Sequence, residues 1–355
     1  MQSTQPLFKA LKQLPFKETV KLAHNFHIPN KTVNPHLTIK SNEPIVFLHG
    51  VFGSKNNYRH QCQTIANQTH APVYALDLRN HGKSQHALPF NYDVLANDVY
   101  QFCQDHNLKK IHLVGFSLGA KVALLSLLKF PDLFKSGTIL DNAPVANPEA
   151  GLFLKSFNKA VISVINKAKI SKHDKDWREK AHKEIYKYVK DKDGVQYLLK
   201  NIVNKTPESH ISDYDDGYVY SKVPVRLLES DFIEQVTGWP KDQVEGLQYN
   251  GAVKIIRGKK SDFILKDGYE AFERHYPNHS ITNINSGHLV FAERPQECVE
   301  IISEFIKSQS YLLPKNQSKS QSIKSNTEKT IKSIDPSITQ LKEKLDSSSH
   351  SSIKA

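Results

Sequence analysis

Short apolar or β-branched runs recur along the chain, and each ends in a polar loop: PIVFLHG (44–50), APVYALDLRNHG (71–82), KIHLVGFS (110–117), GTILDNAP (137–144), AVKIIRGKKSD (252–262) and SITNINSGH (280–288). Runs this short, rich in Val, Ile and Leu, predict strands. Longer stretches with helical character, such as NYRHQCQTIANQT and DVLANDVYQFCQDH, lie between them. Strand alternating with helix predicts an α/β fold, a mostly parallel sheet covered by helices on both faces. In such a sheet ligands bind beyond the carboxyl ends of the strands. The alternation breaks between about Val145 and Val223, where FLKSFNKAVISVINKAKI and WREKAHKEIYKYVKDKDGVQYLLKNIV are helical in period and rich in lysine. This insertion is expected to form a helical cap over the strand ends.

The polar clusters fall at those ends. GFSLG (115–119) sits between the strand-like IHLV and the helix-like AKVALLSLLK, so Ser117 occupies a sharp strand-to-helix turn. Glycines on either side let neighbouring backbone approach while the hydroxyl projects above the sheet. A serine nucleophile also needs donors for the oxyanion of a tetrahedral intermediate. The loop in LHGVFGS (48–54) offers the backbone N–H of Val51 or Phe52, to pair with that of Leu118, the residue after the serine. The base is expected to be histidine. Of 17 histidines, His288 in NSGHLVFAERP follows the last strand and begins the last helical region. Two acids compete to orient it: Asp141 after the strand that follows the elbow, and Asp262 after the next one. The commoner position in this architecture is the later one, Asp262. No Cys/His cluster with metal-ligand spacing is present, and no metal or redox cofactor is implied.

Composition qualifies this picture mainly at the two ends. The chain has 355 residues, enough for one large domain with appended segments, and 39% of them are apolar. Its net charge of +12 is concentrated outside the strand-helix region. Residues 1–40 carry six lysines against one acid, and residues 315–355 carry eight against four. The central part is close to balanced, so nucleic acid is not an expected partner. The N-terminal residues 1–40 read as an extension whose basic, acid-poor character, with Leu7, Leu11 and Leu14, fits a mitochondrial transit peptide; the alternative is a cytoplasmic protein with a solvated leader. Residues 315–355 contain eleven serines and no aromatic residue, and are expected to form a disordered tail. The folded domain is then 41–314, and a fragment of residues 35–314 is expected to fold. No apolar run approaches the roughly 20 residues of a transmembrane helix. Three irregularly spaced cysteines imply a reducing compartment without structural disulfides.

FLHGVFGSKNNYR, ALDLRNHGKS, VGFSLGAKVAL, LDNAPV and NSGHLVFAERP together resemble the α/β-hydrolase superfamily, and within it the yeast ethanol acetyltransferase family with its mitochondrial and bacterial esterase relatives. The resemblance covers roughly residues 40–310. It implies an acyltransferase that takes acetyl from acetyl-CoA, forms an acetyl-serine on Ser117, and passes it to ethanol or another small alcohol to give ethyl acetate or a related ester. Side thioesterase and esterase activities follow when water is the acceptor. The resemblance also implies a mitochondrial address. In this family the acid lies in LD-x-x-P, 24 residues beyond the serine, which selects Asp141 over Asp262. The rival expectations are a plain carboxylesterase or thioesterase, and a non-catalytic binding protein on a hydrolase scaffold.

Overall fold

The computed structural model describes residues 17–30, 43–205, 217–228 and 230–310. The leader before residue 17 and the serine- and lysine-rich tail both lie outside the described residues. The strands are β1 (His24–His27), β2 (Ile45–Leu48), β3 (Val73–Leu76), β4 (Ile111–Phe116), β5 (Phe134–Leu140), β6 (Ile202–Val203), β7 (Tyr220–Ser221), β8 (Ala252–Gly258) and β9 (His279–Ile284). Seven of them form one sheet in the order β1-β3-β2-β4-β5-β8-β9, while β6 and β7 pair separately. All neighbours in the main sheet run parallel except β1, which pairs antiparallel with β3. Sequence and position agree: the central β2, IVFL, is buried throughout, as a strand covered on both faces must be. The edge strands β1 (HNFH) and β9 (HSITNI) are polar and partly exposed.

Helices α1 (Arg59–Thr69), α2 (Tyr92–Asp105) and α3 (Leu118–Lys129) connect the first strands. Helices α4 (Ala150–Ile162), α5 (Trp177–Tyr186), α6 (Lys192–Leu199), α7 (Val225–Leu228), α8 (Phe232–Thr237) and α9 (Lys241–Val244) lie between β5 and β8. Helix α10 (Lys266–His275) joins β8 to β9, and α11 (Val290–Glu293) with α12 (Pro295–Ser310) closes the domain. The chain leaves β2 for β3 on one side and returns to β4 on the other. Right-handed crossovers therefore put α1 and α2 on opposite faces, and a crevice opens where the order reverses, above β2 and β4. Residues Leu118 to Leu128 of α3 are all buried, so its apolar run is that of a central helix. No described helix is long and apolar enough to cross a membrane. Cys62, Cys103 and Cys298 are free and buried.

Two expected boundaries are corrected. The insertion does not end near Val223, because α7, α8 and α9 extend it to the start of β8 at Ala252. Pro224, Gly238 and Pro240 break that stretch into short helices, which hides its helical period in the sequence. The N-terminal boundary also moves. Residues 17–27 belong to the folded domain rather than to an extension: β1 joins the sheet, and Val20 and Leu22 are buried. The fully buried Arg79 guanidinium fastens this segment. It pairs with Asp98 through Nε (2.8 Å) and Nη2 (2.9 Å), and donates to the carbonyls of Lys17 (3.0 Å), Glu18 (2.9 Å) and Pro89 (2.9 Å). Asp98 in turn accepts the N–H of Val20 at 2.8 Å.

Candidate active site

Ser117 ends β4 and precedes α3 with φ 53° and ψ −111°, a backbone conformation that a non-glycine residue adopts only under constraint. The constraint is visible on both sides. A Cβ on Gly115 would lie 2.1 Å from the Gly119 carbonyl oxygen, and one on Gly119 would lie 2.5 Å from that of Leu48. Both glycines are therefore required for the turn to pack against β2. Backbone bonds from Ser117 to Leu140 (3.0 Å) and from Gly119 to His49 (3.1 Å) fix it further, and Asn142 Nδ2 donates to the Ser117 carbonyl at 3.1 Å.

The hydroxyl meets the predicted histidine. His288 Nε2 lies 2.8 Å from Ser117 Oγ, and His288 Nδ1 lies 2.8 Å from Asp141 Oδ2. Asp141 is fully buried and turns at φ 52° just past β5. Its Oδ1 accepts the N–H of Gly258 at 2.9 Å, and its Oδ2 accepts the Ser261 hydroxyl. Asp262 is exposed, and among the described hydrogen bonds it offers only its carbonyl, to Asn147 at 3.1 Å. The later loop thus brings donors to the Asp141 carboxylate instead of a second acid to the imidazole. Three aromatic rings wall in that imidazole: Phe263 stacks on it with centroids 3.4 Å apart, and Phe116 and Phe153 lie at 5.3 and 5.9 Å. Glu293 accepts the Gly287 N–H and so steadies the loop that carries His288.

The loop after β2 faces the serine. The N–H of Phe52 donates to His81 Nε2 at 3.3 Å, while His81 Nδ1 donates to the Arg79 carbonyl at 2.9 Å. Burial pushes His81 down to about 3, with neighbouring His49 adding to the effect, so the ring is neutral and its Nε2 is an acceptor. Beside it, His49 is also held neutral by burial, and accepts the Leu78 N–H at 3.0 Å. Phe52 is consequently committed to bracing the loop. The N–H groups of Val51 and Leu118 donate no hydrogen bond among those described. The cap touches this loop through Tyr197, whose hydroxyl donates to the Val51 carbonyl at 3.0 Å.

Ser117, His288 and Asp141 are brought together and Leu118 follows the serine; the loop that carries Val51 and Phe52 starts at Gly50 beside Ser117, the Phe52 N–H is engaged, and Asp262 makes no bond to the imidazole among those described. Ser261, His81 and Phe263 were not anticipated. Ser261 sits in the loop searched for an acid, and an eye for donors to a buried carboxylate would have found it.

Comparison with known proteins agrees with this fold. The family model of the alpha/beta hydrolase fold matches residues 43–175. The chain is 49% identical to "Ethanol acetyltransferase 1" of Wickerhamomyces anomalus, covering 85% of this chain and 78% of that protein. It is 48% identical to the protein of the same name from Wickerhamomyces ciferrii, covering 88% and 81%. Identity to a "Probable alcohol acetyltransferase" of Cyberlindnera jadinii is 47%, covering 92% and 90%. Among solved structures, a marine microorganism esterase shares the fold with a TM-score of 0.66 at 23% identity, covering 81% of this chain and all of the other.

Proposed function

The chain belongs to the ethanol acetyltransferase family on the α/β-hydrolase fold, and from that premise we propose that it transfers acetyl from acetyl-CoA to ethanol through an acetyl-serine on Ser117. The supporting observation is the unbroken hydrogen-bonded line from Asp141 through His288 to Ser117, at 2.8 Å for each link. Ser117 Oγ attacks the thioester carbonyl as His288 Nε2 takes its proton. The N–H groups of Val51 and Leu118 hold the oxyanion. Asp141 keeps the imidazole in the Nδ1–H tautomer and stabilises the imidazolium. The intermediate collapses as the thiol leaves with the proton from His288. Ethanol then gives its proton to His288 and attacks the acetyl-serine, and ethyl acetate leaves while Ser117 recovers its hydrogen. Water in place of ethanol yields acetate, which is the thioesterase and esterase side activity. The route runs through the acyl-serine and calls on no metal or redox cofactor.

Purified protein with acetyl-CoA, with and without ethanol, tests this directly by gas chromatography of the volatile product. Ethyl acetate is expected only with ethanol, and Ser117→Ala should abolish it along with hydrolysis. Acetate as the sole product at high ethanol would make water the acceptor and the protein a hydrolase. A mitochondrial address extends the proposal, supported by the lysines and the near absence of acids in the leader. Because the stretch from Lys17 to His27 is tied into the domain, a removable leader has to end before that point. A reporter fused to residues 1–16 that stays diffuse in the cytosol would remove this part alone.

A further inference from the structure

Two spaces flank the Ser117–His288 pair; they share Ala150 and Phe263 as a common wall and differ in size and in the rest of their lining. The first, about 230 Å³ counting its opening to solvent, is bordered by Ser117, Lys121, Asn147, Leu154, Val236 and Thr237, and has room for about one water molecule. His288 does not border it. The second is a groove of about 1100 Å³ measured in the same way, bordered by His288 together with Leu152, Phe153, Phe263 and Leu265, and not by Ser117. Its rim is open to solvent and mixed in character: Leu152 is 76% exposed, and Glu149, Lys260 and Asp262 also border the groove.

Chemistry assigns the two. His288 hands its proton to the leaving group and later takes one from the acceptor, so both must sit on the histidine side of the serine. The acyl chain then extends to the other side. That end of the small cavity is closed by Lys121, one helical turn beyond Ser117 in α3. Its Nζ donates to the carbonyls of Thr237 (3.0 Å) and Gly238 (2.9 Å), at the C-terminal end of α8 in the cap. Tyr92 holds the preceding carbonyl, that of Val236, at 2.5 Å. The amine is almost wholly buried, and desolvation pushes it down to about 7. A longer acyl chain would have to part Lys121 from these carbonyls and leave buried polar groups unpaired.

We propose that the Lys121-closed cavity is the acyl subsite, with Lys121 limiting the acyl group to acetyl size, while the groove beside His288 takes the leaving group and the acceptor alcohol with little regard to their length. This rests on the acyl-serine chemistry proposed above, yet it is read in hydrolysis, without acetyl-CoA or ethanol. Loss of ethanol acetylation would therefore leave the test intact.

In the wild-type protein, kcat/KM should fall at least tenfold from p-nitrophenyl acetate through the butanoate to the hexanoate. Across ethyl, butyl and hexyl acetate it should change less than threefold. Lys121→Met, close in length and without the donors, should reduce the acetate-to-hexanoate ratio at least tenfold, chiefly through KM. Leu154→Ala, which widens the apolar wall, should move that ratio in the same direction and serves if the Lys121 variant lacks a cooperative melt. A wild-type profile that is flat along the acyl series or steep along the alcohol series would overturn the assignment of the two spaces. A folded Lys121→Met with the wild-type ratio would remove the lysine from its role. An unchanged ratio in Leu154→Ala would show that the cavity does not hold the acyl chain.

Discussion

The loops after β5 and β8 both carry an aspartate just past a strand end on the same edge of the sheet, yet they do opposite work. After β5 the chain turns at once, with Asp141 at φ 52°, and the carboxylate is driven inward to full burial. After β8 the chain runs on through Gly258 and Ser261 before Asp262 emerges into solvent. A buried carboxylate needs donors, and the later loop supplies two of them. The acid is thus shared between two strands: one brings the charge, and the other brings the groups that make its burial tolerable. What separates the two aspartates is the donor set around each, rather than its distance from a strand.

The sharpest way to break this contrast is Asp141→Asn. An amide at this position favours the wrong imidazole tautomer, and a comparable change in a serine protease lowers kcat by roughly 10⁴-fold. A loss of that size is expected in the hydrolysis of p-nitrophenyl acetate with the melting temperature little changed. Retention of more than a tenth of the wild-type rate would remove Asp141 as the orienting acid.

The same distinction between a fully partnered buried charge and an exposed one applies at the N-terminal seam. A fragment beginning at residue 35 deletes β1, the Lys17 and Glu18 carbonyls that Arg79 binds, and the Val20 N–H that Asp98 accepts. Leaving a buried charged group without a hydrogen-bond partner costs about 1.5–3 kcal/mol for each bond lost. Lost burial of Val20 and Leu22 adds to this. Relative to a fragment starting at residue 17, a drop in melting temperature of roughly 10 °C or more is expected in a domain of this size. Equal melting temperatures would show that the segment is dispensable.

Ser261→Ala probes the donors themselves. A hydrogen bond to a charged group contributes about 1.5–3 kcal/mol, so a kcat loss of roughly 10- to 100-fold is expected. In the Asp141→Asn background the same substitution should cost much less, because the charge it serves is gone. Additive losses in the double variant would mean that Ser261 acts independently of the acid.

These sites also mark where the sequence was informative. Ser117 and His288 were legible because each stands at a seam between two periodicities, and the glycines around Ser117 have a steric reason to be there. The choice between Asp141 and Asp262 was not legible locally, since both follow a strand, and family resemblance favoured Asp141. Strand β1 was missed because HNFH has no apolar run, and an edge strand needs none. The acceptors of Arg79 lie as many as 62 residues away in the chain, beyond any local pattern. Lys121 lies within an apolar helix where no local pattern marks it. Its partners are cap carbonyls, which leave no trace in side-chain identity.

The smallest expected effect belongs to Asp262→Asn, and it completes the comparison. The Asp262 carboxylate is exposed at the rim of the groove beside His288, and its described hydrogen bond is made by the backbone carbonyl, which the substitution keeps. No bond to the imidazole is lost, and the donors to Asp141 stay in place. A change of less than about threefold in kcat is expected, since exposed groups in high dielectric contribute little. Any change should appear in KM for a charged acyl donor such as acetyl-CoA and be absent for ethyl acetate. Measuring both substrates separates the two outcomes. A kcat loss in Asp262→Asn approaching that of Asp141→Asn, with either substrate, would mean that the two loops share the orienting role and that the exposed aspartate reaches His288 during turnover.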